Sequence, residues 1–93
     1  MADRTLISVE SIRDEIERFV LENFVSDYHP GTLPLDESLV ELGILDSYGV
    51  VELVAFIEEK WSITILDAEI TREKMGSVNK MSRLVLSKIT PKE

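Results

Sequence analysis

Ninety-three residues suit one small domain and leave no room for a second. Hydrophobic residues make up 44% and charged residues 30%, which excludes a disordered chain; the lack of cysteine excludes a disulfide framework, a thiolate metal site and a cysteine nucleophile. Eighteen acidic residues against ten basic ones give a net charge of −8, the wrong sign for a nucleic-acid or anionic-membrane binder and the right one for basic protein surfaces.

The opening stretch MADRTLISVE has charges where a signal peptide needs its apolar region, and no apolar run reaches the length of a membrane span. The expected product is a monomer in the cytoplasm, without membrane insertion. Helical periodicity begins at Ser8, a predicted cap, and runs to about Phe24. Ile12, Ile16, Phe19, Val20 and Asn23 share the predicted core face, while Glu10, Asp14, Glu17 and Arg18 lie mostly away from it.

The next segment, SDYHPGTLPLDES, holds two prolines, a glycine and several turn formers, and reads as a long loop. Leu35, Leu39, Leu42 and Ile44 near its end are expected to pin it to the core. A second helix is predicted from Ser47 to about Trp61, with Val50, Leu53, Val54, Ile57 and Trp61 as its core stripe. Asp67 is the predicted cap of a short third helix over DAEITREK. Ser77 caps a last helix whose core face is Val78, Met81, Val85 and Ile89, and Pro91 ends the pattern. No strand alternation competes. The predicted fold is all-α, a bundle of three long helices plus one short helix, with a long loop between the first two.

The stretch GILDSYGVVELV, residues 43–54, carries the chemical question. A nucleophile elbow needs G-x-S-x-G on a strand-to-helix turn, but Leu45 occupies the first glycine position and no strand precedes it. A serine nucleophile also needs a base, and the only histidine, His29, sits in the loop beside Pro30 with no carboxylate arranged to support it. Asp36, Glu37, Glu41 and Asp46 lack the alternating ligands and central glycine of a calcium loop. No catalytic residue and no metal site is predicted. The plain reading of Ser47 is a helix N-cap, worth about 1 kcal/mol. That reading leaves Gly49 unexplained, because glycine in a helix costs roughly 1 kcal/mol relative to alanine.

Away from the core stripe, Tyr48, Glu52, Ala55 and Glu59 align at helical spacing, with Val51 beside them. Apolar anchors ringed by carboxylates form a predicted docking strip for a basic partner. A partly exposed face with incidental apolar residues is the plainer alternative.

The pattern D-S-x-x-x-V-E-L-V, formed by Asp46, Ser47, Val51, Glu52, Leu53 and Val54, closely resembles the attachment site of acyl and peptidyl carrier proteins. The resemblance extends over about residues 8–89, with L-V-E-L-G before the site and the same helix order, and it makes residues 1–93 one carrier-protein domain. It implies that Ser47 takes phosphopantetheine from coenzyme A through a separate transferase, that Asp46 supports engagement of that transferase, and that cargo rides on the arm as a thioester. It also implies that Tyr48, Val51, Glu52, Ala55 and Glu59 face partners: the transferase, an adenylating ligase and a downstream acyltransferase or synthase with a basic surface. The protein would then be a carrier and not an enzyme. G-I-L-D-S-Y-G-V-V-E-L is similar to discrete D-alanyl and other aminoacyl carriers, as is the stretch around Glu69, Arg72, Glu73, Ser77, Asn79 and Lys80. Leu66 stands where those carriers usually have proline, and the N-terminal part and first loop are longer. The competing reading from another class is a small acidic helical adaptor that is never modified.

Overall fold

The computed structural model describes residues 8–25 and 33–89, and their regular structure is entirely helical. His29 and Pro91 lie outside the described residues. No helix among those described is long and apolar enough to cross a membrane.

Helix α1 spans Val9–Phe24. Ser8 and Ser11 exchange side-chain-to-backbone hydrogen bonds of 3.2 Å each, a reciprocal cap that fixes the start of the helix where the sequence places it. Ile12, Ile16 and Val20 are fully buried. Two positions depart from the expected face. Glu17 is buried, and Asn23 is exposed, its amide donating to the Phe19 carbonyl at 2.9 Å. Glu17 is covered because α1 packs against two other helices, so its buried arc is wider than one stripe.

Helix α2 spans Ser47–Trp61 and buries Leu53 and Ile57, with Val50, Val54 and Trp61 half-buried beside them. It stops at Ser62, which takes left-handed φ and ψ of 56° and 49°, its N–H returning to the Glu58 carbonyl. Glu58 then accepts the Ile65 N–H at 2.8 Å and holds the exit strand of chain against the helix. Between α1 and α2 runs a series of rings. Trp61 meets Phe56 edge-on at 6.0 Å, Phe56 stacks on Phe19 at 4.2 Å, and Phe19 meets Phe24 edge-on at 5.9 Å.

The expected short helix is divided in two. Residues Asp67–Glu69 form a 3-10 turn whose preceding N–H, that of Leu66, is taken by the Glu69 carboxylate at 2.9 Å, so Asp67 is not the cap. Helix α3, Arg72–Met75, starts instead at Thr71, whose hydroxyl accepts the Lys74 N–H at 3.2 Å. Helix α4 spans Val78–Ile89. Ser77 caps it through the Lys80 N–H at 3.2 Å, as the sequence predicts, and Val78, Met81 and Val85 are buried with Ile89 half-buried. Ser82 is also fully buried, and its hydroxyl is satisfied by the Val78 carbonyl at 2.8 Å.

The segment from Leu33 to Asp46 is fastened to the corner between α3 and α4. Leu39 N–H donates to the Gly76 carbonyl at 3.3 Å, Asn79 N–H to the Leu35 carbonyl at 3.0 Å, and the Asn79 amide to Asp36 at 2.7 Å. Leu39 is buried, and Leu35 and Ile44 are half-buried, as expected of pinning residues. Leu42 is 43% exposed and does not pin the segment; Leu33 and Leu45 are buried and do.

Candidate functional site

The first turn of α2 is set by its neighbours in sequence. Leu45 is buried, and Asp46 is extended at φ −109° and ψ −170°. The Asp46 carboxylate accepts the Gly49 N–H at 2.8 Å, and its carbonyl accepts the Val50 N–H at 2.9 Å. Asp46 is therefore the N-cap, which corrects the assignment of that role to Ser47. Ser47 is the first helical residue, exposed, and its hydroxyl has no hydrogen-bond partner among the described residues.

Gly49 is buried in the same turn. A Cβ there would lie 3.0 Å from the end of the Leu45 side chain and 3.2 Å from the ring of Phe24. Glycine thus lets the last residue of α1 close against the turn that presents Ser47. Its cost in helix propensity is the cost of that close approach. Upstream, Gly43 at φ +78° supplies the left-handed step of the turn that sends the chain from Val40 into the site.

The predicted docking strip is exposed along its length. Tyr48 is 81% exposed and Val51 67%, with Glu52, Ala55 and Glu59 also exposed, while Leu53 and Ile57 face the core. Three carboxylates of the preceding segment have separate employment: Asp36 holds Asn79, Glu41 pairs with Arg72, and Asp46 caps α2.

A feature not legible in the sequence lies beside this turn. A cavity of about 260 Å³ opens between the Ser38–Val40 wall and the Ile70–Gly76 wall, floored by Leu45, Leu53 and Met81. Val50 joins it to the start of α2. The residues that line it come from four separate stretches of chain, each of which reads in isolation as ordinary core or loop.

No protein-family profile matches the chain. It is 33% identical over 70 residues to a D-alanyl carrier protein of Streptococcus suis, covering 75% of this chain and 85% of that protein. A D-alanyl carrier protein of Streptococcus uberis is 38% identical over 72 residues, covering 77% and 82%. One of Streptococcus mutans is 33% identical over 70 residues, with 75% and 85% covered. A small helical carrier is the class that fold and relatives define together. The chain belongs to the carrier-protein family of these D-alanyl carrier proteins.

Proposed function

We propose that this protein is a discrete acyl or aminoacyl carrier that holds its cargo as a thioester on a phosphopantetheine arm joined to Ser47. One observation carries the reading: the Ser47 hydroxyl is exposed at the start of α2 and committed to no bond within the described chain, because Asp46 does the capping. The residues present suit the group. An alcohol is what a phosphodiester linkage requires, and the N-terminal turn of a 15-residue helix favours the negative charge such a linkage brings. The arm, when attached, supplies the thiol that forms the thioester.

The chain's own part is presentation. Leu45 and Asp46 fix the direction of the first turn, Gly49 seats it on Phe24, and Asp46 meets the transferase from beside the hydroxyl. Activation of Ser47 comes from the transferase, so this chain needs no base of its own and is not the catalyst. Tyr48 and Val51 give partners an apolar hold, and Glu52 and Glu59 attract basic surfaces. Such contacts favour fast exchange between successive cytoplasmic enzymes over tight binding. An adenylating ligase loads the cargo, and D-alanine, named for the relatives, is the first acid to try on it.

The test is intact mass after incubation with coenzyme A, magnesium and a broad-specificity phosphopantetheinyl transferase. The expected result is a gain of one arm on wild type and none on Ser47→Ala. No gain on folded wild type, with a known carrier modified in parallel, would turn the reading to the unmodified adaptor.

A further inference from the structure

Glu41 and Arg72 form an ion pair at the rim of the cavity, with side chains 57% and 69% exposed respectively. The pair joins the two walls: Glu41 follows Val40 on one side, and Arg72 belongs to the other. Deeper between the same walls lies the bond from Leu39 N–H to the Gly76 carbonyl. Val40 and Leu42, on either side of Glu41, are 55% and 43% exposed. This short turn repeats the chemistry of the strip on α2, two apolar side chains around a carboxylate, but here the carboxylate already holds a cation from its own chain.

We propose that the Glu41–Arg72 pair is a latch on the cavity, opened when a cationic group of a docking partner takes Glu41 from Arg72. The inference rests on the carrier reading for its partner, a protein with a basic surface seated on Val40, Leu42 and the α2 strip. Exchange of one exposed ion pair for another costs little, because both are hydrated and screened. Docking would thereby loosen the wall nearest Ser47 without disturbing the buried contacts of α1 and α4. The latch couples who is bound to whether the cavity is open.

Amide hydrogen exchange reads the latch directly, with Leu39 reporting the wall and Ile57 the core of α2. Glu41→Gln and Arg72→Gln should each speed exchange of the Leu39 amide by roughly twofold to fivefold, the range for losing an exposed ion pair. Ile57 should not change, and the charge-swapped double variant Glu41→Arg with Arg72→Glu should restore the wild-type rate. Salt at about 0.5 M should bring wild type to the rate of the single variants and leave those variants unmoved. Oligolysine at fixed ionic strength supplies the competing cation; it should accelerate Leu39 in wild type and not in Glu41→Gln. Unchanged Leu39 exchange in the single variants overturns the proposal, as does equal acceleration of Leu39 and Ile57, which would mark a general stabiliser. Oligolysine that leaves wild-type Leu39 unmoved, bound or not, overturns the coupling to docking. Both glutamine variants should still gain the arm on Ser47, so failure of the latch and failure of the carrier reading give different results.

Discussion

The Asp46 carboxylate takes the Gly49 N–H at 2.8 Å, and the adjacent Ser47 hydroxyl is left unclaimed among the described residues. The two neighbours divide the work that the sequence alone would assign to one residue. Removing each side chain separates the two roles. Asp46→Ala should lower stability by about 1 kcal/mol, as loss of a cap does, and Asp46→Asn should recover most of it. Ser47→Ala should stay within about 0.5 kcal/mol of wild type, as an exposed position without a bond would. Urea unfolding of the three variants checks this; equal losses at both positions would return the cap to Ser47.

At Gly49 two opposed effects can be weighed. Alanine gains roughly 1 kcal/mol of helix propensity but places a methyl 3.0 Å from the Leu45 side chain and 3.2 Å from the Phe24 ring. Forcing a methyl into a packed site costs about 1–3 kcal/mol. Gly49→Ala should therefore be destabilising by about 1 kcal/mol, with the Phe24 ring resonances shifted. Pairing it with Phe24→Leu should relieve the loss, and a double-mutant cycle of urea unfolding curves measures how much.

Acid should weaken the fastening of the segment between α2 and α3. The Glu69 carboxylate is held below its usual value near 4.5, chiefly by the hydrogen bond from Lys88, 2.8 Å away, then by the Leu66 N–H. A carboxylate depressed on folding contributes stability that is full above its unfolded pKa and fades as pH falls through the folded one. Lys88→Gln should raise the Glu69 pKa, seen by carboxyl NMR, and flatten the fall of stability with pH below about 4.5. An unmoved Glu69 titration in that variant would show that Lys88 is not the cause.

The strip on α2 predicts a kinetic effect separate from folding. Glu52→Lys and Glu59→Lys should each slow modification by a basic transferase, on the order of tenfold at low salt, with the gap closing as salt rises. Thermal unfolding should be close to wild type, since both side chains are exposed. A loss of rate that does not depend on salt would argue that the substitutions act through shape and not charge.

Much of the fold is legible in the sequence because three helices carry clean periodic stripes and two of them have serine caps. Ile12, Ile16, Leu53, Ile57, Val78 and Val85 are buried where their spacing puts them. What escapes the sequence is whatever depends on a second neighbour. Glu17 is covered because α1 touches both α2 and α4, and Leu42 is exposed because the turn at Gly43 swings it out while Leu45 turns in. Asp67 and Thr71 are both acceptable caps by type; the 3-10 turn between them decides for Thr71. Ser47 is legible as a candidate site, but its freedom from capping is not, since Asp46 and Ser47 are equally good caps on paper. The cavity could not be read at all, because its walls meet only in three dimensions.

The rings of Trp61, Phe56, Phe19 and Phe24 run in contact from the far end of α2 along α1 and finish against Gly49, in the same turn as Ser47. A helix of 15 residues is about 22 Å long, so this ladder spans nearly the whole distance between its two ends. The only tryptophan in the chain thus stands at the opposite end of a strut from Ser47. Whatever load is hung on Ser47 bears on a braced post and not a loose one, and the indole is a built-in optical gauge of whether that brace still holds.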